Sequence, residues 1–173
     1  MTREELLEKL LKSYSAYYNI EELPETELPL AAKCTLNVHS EKYVLIKKAK
    51  LWSADSNEHL YIFSLPVLTQ DQYERCRDYA YEKGMELIHP EPGHMYTYIT
   101  TLFLCEECEP KARKALTRCR IFKNFRFSFY GWMDFHTALV ELDTERVSTN
   151  SSGRDNAKFL KNVVHAKKQN NGR

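Results

Sequence analysis

The stretch RIFKNFRFSFYGWMDF, residues 120–135, interleaves Arg120, Lys123 and Arg126 with Phe122, Phe125, Phe127, Phe129, Tyr130 and Trp132. Rings that stack on bases, beside cations that neutralise phosphate, are what a single-stranded nucleic-acid surface uses. Upstream, Lys111, Arg113, Lys114 and Arg118 extend the run, and no acid falls between Pro110 and Met133. At helical spacing Lys111, Lys114 and Arg118 share one face. If residues 124–131 form a strand, period 2 puts Phe125, Phe127 and Phe129 on one side and Arg126, Ser128 and Tyr130 on the other. Three rings in register read as a core face. An anion would then be left with Lys111, Lys114, Arg118, Arg120, Arg126 and Tyr130.

Other constellations are weaker. Cys105 and Cys108 form a CxxC between a strand and a helix, the topology that thiol–disulfide exchange uses, but Glu106, Glu107 and Glu109 crowd it with charge that disfavours a thiolate. His89 and His94 with the two cysteines would total four zinc ligands. The strand expected over 95–104 holds the two pairs roughly 30 Å apart, beyond one tetrahedral ion. The loop HPEPGH, residues 89–94, offers His89, His94, Glu91 and the following Tyr96 for acid–base work, or serves as a proline-stiffened connector. NSSGRD, residues 150–155, is the best phosphate-loop candidate, with Ser152 and Arg154 beside Gly153 at a helix start. Serine-hydrolase, Walker, dinucleotide and zinc-protease motifs are missing from the sequence. No catalytic residue, metal ligand or cofactor is assigned.

The elements that position these residues follow from periodicity. Thr2 and Glu5 form a capping box, and Leu6, Leu7, Leu10, Leu11, Tyr14 and Tyr17 recur at helical spacing, predicting an amphipathic helix over 2–18. EELPETELP, residues 21–29, reads as an acidic extended connector. Residues 31–38, 43–52 and 58–65 predict three antiparallel strands. Thr69 and Gln72 cap a helix over 70–83, with Tyr73, Cys76 and Ala80 inward and Gly84 as its stop. Residues 95–104 predict a central strand, and Pro110 opens a helix with Ala112, Ala115, Leu116 and Cys119 inward. Strands are expected at 124–131, 134–142 and 146–149, and a last helix at 154–165 with Phe159, Leu160, Val163 and Val164 inward.

The order α-βββ-α-β-α-ββ(β)-α predicts a single α+β domain with a mixed or antiparallel sheet and helices packed on it. Its expected parts are an N-terminal helix over 1–20, a connector over 21–30, the α+β body over 31–165 and a flexible tail over 166–173. The opening of this order is similar to the core of restriction-endonuclease-like nucleases. The only Glu-x-Lys is Glu109–Pro110–Lys111, at a helix start, which argues against their metal site.

Net charge is +1, from 25 Lys and Arg against 24 Asp and Glu. Its distribution is uneven. Residues 1–30 carry three cations and seven acids, net −4, whereas residues 106–173 carry fourteen and eight, net +6. That excludes a wholesale polyanion binder but leaves a local basic patch. Glu4, Glu5 and Glu8 stand where a secretory signal is apolar, and no uncharged run is long enough for a membrane helix. A cytoplasmic protein without membrane contact is expected, and five Cys without a secretory signal argue against a disulfide framework.

FRFSFYGW, the following DFHTALVELDTERV, the turn Gly153–Arg154–Asp155 and the early YYNIEELP resemble a family of short uncharacterised bacterial proteins. The resemblance implies a domain of unknown function and carries no catalytic residues. The functional expectation is a non-enzymatic binding or interaction module, meeting a partner or a second copy through its first helix. The alternative is RNA or DNA binding through the basic face of residues 111–126. A hydrolase or nuclease built on His89 and His94 ranks third.

Overall fold

The computed structural model describes residues 1–24, 26–38 and 55–165. The elements are α1 (Arg3–Tyr14), β1 (Asn19–Glu21), β2 (Leu30–Val38), β3 (Asp55–Ser64), β4 (Val67–Leu68), α2 (Gln70–Glu86), β5 (His94–Cys105), β6 (Glu107–Cys108), α3 (Pro110–Arg118), β7 (Phe122–Asn124), β8 (Trp132–Glu141), β9 (Arg146–Thr149) and α4 (Arg154–His165). The strand expected over 43–52 lies outside the described residues, as does the tail over 166–173.

The fold is a single α+β domain on a mixed seven-stranded sheet of order β1-β2-β3-β5-β8-β7, with β9 also on β8. Strands β3, β5 and β8 are mutually parallel, and β2, β7 and β9 run antiparallel to their neighbours. The parallel strands are joined by α2 and α3, as parallel pairing requires. Both helices pack on one face of the sheet, where Tyr73, Cys76, Ala80, Ala112 and Leu116 meet Tyr61, Phe63, Ile99, Phe103 and Phe135. On the other face Leu6 and Leu10 of α1 and Leu160 and Val164 of α4 meet Leu60, Ile62, Leu102, Leu104, Ala138 and Val140. This double cover explains why YITTLFLC and FHTALVE are apolar on both sides. The N-terminal helix docks on the body but ends at Tyr14, short of the expected 18, and β1 adds an edge strand over Asn19–Glu21, across the boundary between the segments expected over 1–20 and 21–30.

Both expected capping boxes are present, Thr2 with Glu5 and Thr69 with Gln72. Gly84 does not stop α2, which runs on to Glu86. Its role is close approach: a Cβ there would come within 2.6 Å of Ile99 on β5. Among the described residues no helix is long and apolar enough to cross a membrane.

The strand expected over 124–131 is replaced by the short β7 and a closed loop. Arg126, Phe127 and Ser128 take φ of 46°, 54° and 70°, a left-handed turn that no strand tolerates. The alternation F-R-F-S-F fits a strand, but Asn124 and Ser128 bond side chain to side chain at 2.7 Å, and Phe129 N–H donates to the Arg126 carbonyl, which winds the chain back on itself. The expected core face of three phenylalanines fails with it. Phe125 packs against the α2/α3 core, whereas Phe127 and Phe129 are 95% and 81% exposed.

One buried side chain splices the edge of β8. β7 pairs with residues 132–134 and β9 with residues 138–141, leaving a gap between them. Asn150 fills it: its Oδ1 accepts from Thr137 N–H at 3.1 Å and Gly153 N–H at 2.9 Å, and its Nδ2 donates to the carbonyls of Phe135 at 2.8 Å and Cys119 at 3.1 Å. All four bonding positions of the carboxamide are used. Asn150→Asp turns the double donor into a carboxylate facing two carbonyls, a buried charge without a partner. A loss of about 3–5 kcal/mol is expected, read as a fall in melting temperature of roughly 2–4 °C per kcal/mol. Gly84→Ala is expected to cost about 1–3 kcal/mol through overpacking, and Ile99→Ala in the same chain should recover part of it.

Candidate functional site

Two surfaces with different chemistry meet near the start of β8. The first is the basic, aromatic arm, which runs from α3 through β7 to the loop 125–130. Lys111, Lys114 and Arg118 are exposed on α3 opposite buried Ala112 and Leu116, as the helical spacing requires. Arg120, Lys123 and Arg126 continue in solvent. Arg126 stacks over the Tyr130 ring with its Cζ 5.2 Å from the ring centroid, a cation–π contact. Arg113, part of the same run in sequence, is diverted: it pairs in bidentate fashion with Glu141, which is only 3% exposed.

The arm is anchored on the first residues of β5. His94 is buried, with Nδ1 2.7 Å from the Tyr130 carbonyl and Nε2 2.9 Å from Thr97 Oγ1. Its ring also meets Phe125 edge-on at 5.9 Å. Gly131 lies so close to this strand that a Cβ would come 2.2 Å from the Met95 carbonyl. His94 is thereby engaged as an anchor, while His89 is exposed; the loop HPEPGH does not bring the two imidazoles to a common site.

The second surface lies on the α1/α4 face of the sheet, partly beneath those helices, and periodicity along the chain did not reveal it. Residues opposite each other across a ladder share a face. The register Phe122↔Asp134, Asp134↔Tyr98 and Tyr98↔Glu58 makes one row across four strands. The row beside it is Asn124, Trp132 and Tyr96. Four rings are in contact along this face: Trp132 stacks on Tyr96 at 5.8 Å, and tilted contacts join Tyr96 to Tyr98 at 4.7 Å and Tyr98 to His136, in the next row, at 4.3 Å. Glu58 accepts from Tyr18 Oη at 2.5 Å and Thr100 Oγ1 at 2.6 Å. Burial holds His136 below its ordinary pKa against the pull of Asp134, Glu58 and Asp155. Burial likewise raises the Tyr98 phenol, helped by Tyr96 and the same three acids.

Cys105 and Cys108 are buried; burial pushes their thiols up to about 12 and about 11, with Glu141 adding to both. β5 runs unbroken from His94 to Cys105, so the histidine and cysteine pairs stay at opposite ends of it. Among the described residues no group of three or more His, Cys, Asp or Glu is arranged to hold a metal ion. At NSSGRD the Gly153 amide is taken by Asn150, with Ser152 half-buried and Arg154 exposed beside it. Beyond α1, whose Leu6 and Leu10 lie against the sheet, Tyr17, Ile20 and Leu23 remain exposed.

Residues 2–162 match a family described as a domain of unknown function, DUF8052. The chain belongs to that family. The matched span takes in both surfaces, from α1 to the last turn of α4. Comparison with curated proteins and with solved structures finds no match. The family description names no activity, so the chemistry of the two surfaces rests on the geometry given above.

Burial of histidine makes stability depend on pH. His59 on β3 is pushed down to about 4 by burial, with Lys33 adding to it and Glu21 opposing. A depressed pKa means that stability is fully present above the unfolded value near 6.5 and is lost as pH falls toward about 4. Between pH 7 and pH 5 this group should remove on the order of 2 kcal/mol. Melting curves across that range should show the drop, and His59→Gln should flatten it.

Proposed function

We propose that the domain is a non-enzymatic binding module that holds unpaired nucleic acid on its arm, with Phe127 and Phe129 stacking on bases and Lys111, Lys114, Arg118, Arg120 and Arg126 meeting phosphates. The observation that carries this reading is the near-complete exposure of Phe127 and Phe129 at the tip of a hydrogen-bonded loop. Two large rings in water cost free energy that a folded chain ordinarily avoids by burial. Beside cations they form the sequence-tolerant platform used for single strands. The arm is also the acid-free run of the chain, and α3 carries Lys111 with no acid in its first turn, where the helix dipole disfavours a cation. An anionic ligand along that face would offset both.

Fluorescence anisotropy with labelled oligo-dT and oligo-U tests this. Binding at low salt is expected to fall steeply with added salt, since each phosphate contact releases counterions. Phe127→Ala with Phe129→Ala should weaken it about tenfold or more, because stacking contributes roughly 1–3 kcal/mol per base. Lys114→Glu with Arg118→Glu should weaken it and lower the salt slope. All these side chains are exposed, so melting temperatures should stay within a few degrees. No binding at low salt, or an affinity indifferent to the two phenylalanines, overturns the proposal. Preferential capture by anionic vesicles that is lost with the same phenylalanines would assign the arm to a membrane surface instead.

A further inference from the structure

Exposed apolar surface gathers at two places on this domain. Of the eight large hydrophobic side chains left in water among the described residues, Tyr17, Ile20 and Leu23 surround β1, and Phe122, Phe127 and Phe129 belong to β7 and its loop. Tyr17 is 74% exposed, Leu23 50% and Ile20 46%. β1 and β7 are the two end strands of the sheet, and among the described residues neither carries a strand on its outer side. An end strand presents unpaired N–H and C=O groups, a template for a strand of another chain.

The two edges are opposite in charge. Between Lys12 and Lys33 the chain holds acids and no cation, with Glu22 and Glu27 exposed. Between Pro110 and Met133 it holds cations and no acid. Each edge therefore offers the other an apolar surface of matching kind and a charge of opposite sign. Complementary potentials steer such an encounter, and like charges oppose β1 on β1 or arm on arm. The positions also exclude a closed pair. In a two-fold dimer joined this way, each copy would have to offer both edges to its partner at once. The edges lie five strand spacings apart, roughly 24 Å, at opposite ends of an open sheet. Docking β1 of one copy on the arm of the next leaves one free edge of each kind, so the contact repeats head to tail.

We propose that the β1 edge of one copy docks on the arm of a second copy, Tyr17 and Leu23 against Phe127 and Phe129 and the exposed glutamates against the arm's cations. A docked copy and a nucleic acid would cover the same rings and exclude each other, but the docking does not depend on nucleic acid being the arm's other ligand. The experiment is sedimentation velocity of the full chain without nucleic acid, from micromolar to near-millimolar protein at low salt. The weight-average mass is expected to climb with concentration past that of a dimer, and to fall back when sodium chloride screens the charges. Tyr17→Ser with Leu23→Ser, and separately Phe127→Ala with Phe129→Ala, should each leave the chain monomeric across the range. All four side chains are exposed, so both variants should keep the wild-type melting temperature within a few degrees. Mixed in equal amounts, the two variants should form a dimer and nothing larger, because each supplies the edge that the other has lost. The proposal is overturned by a wild type that stays monomeric, by a mass that stops at a dimer or ignores salt, by self-association that survives either pair of substitutions, or by a mixture of the variants that stays monomeric. Because the mass is measured without oligonucleotide, its outcome and that of the oligonucleotide experiment are independent.

Discussion

Everything on the outer edge of this sheet depends on one carboxamide standing in for a missing piece of strand. β8 has a continuous parallel partner in β5, but along its other edge β7 and β9 each cover only a few residues. Between them Phe135 N–H reaches the Ile121 carbonyl, and the remaining backbone groups are met by Asn150, through its own N–H to the Thr137 carbonyl and through its side chain. Buried backbone groups left unpaired would cost free energy comparable to a lost hydrogen bond each. The same carboxamide also holds the Cys119 carbonyl at the end of α3 and the Gly153 amide at the approach to α4. The helix carrying the basic face and the helix carrying Asp155 are therefore tied to β8 through one shared side chain, in addition to the core contacts each makes with the sheet.

The elements legible in the sequence are those governed by local chemistry. Thr2–Glu5 and Thr69–Gln72 announce helix starts because a capping box is completed within one turn. Pro110 does the same for α3. Gly84 shows where local reading fails: a glycine near a helix end looks like a stop, and only the packing of Ile99 from a strand fifteen residues later reveals that it admits a close neighbour. Arg113 looked like a member of the basic run until Glu141, twenty-eight residues on, claimed it. Asn150 read only as the first residue of NSSGRD, the phosphate-loop candidate. The row of Glu58, Tyr98 and Asp134 exists only once three strands are placed side by side in register, and residue spacing along the chain carries no trace of it.

The two surfaces keep their charges apart because the pleat separates them. β7 shows this in three residues: Phe122 and Asn124 join the acidic, aromatic face, and Lys123 between them points to the other. At the start of β8 the chain passes from the arm's loop directly into Trp132, so the aromatic character is continuous where the charge reverses. A net charge of +1 conceals this arrangement. Local fields several kT deep can coexist with near-neutrality overall.

The loop itself argues that exposure of its rings is maintained against a cost. Left-handed backbone disfavours residues with a Cβ by roughly 1–2 kcal/mol each, and Arg126, Phe127 and Ser128 adopt it in succession with no glycine among them. Closing β7 onto β8 does not require three such residues in a row, since a two-residue hairpin turn needs positive φ at only one or two positions, which Gly or Asn ordinarily fills. Strain of this kind persists only where the surroundings over-determine it, and here they do: Phe125 packs against the core, Ser128 is tied to Asn124, the Tyr130 carbonyl is held by His94, and Gly131 lies against the Met95 carbonyl. A glycine-rich loop would relax the backbone and let the rings fold down onto the sheet. The rigid anchors and the strained turn together have one consequence that the fold does not use, which is to keep Phe127 and Phe129 standing in water beside Arg126.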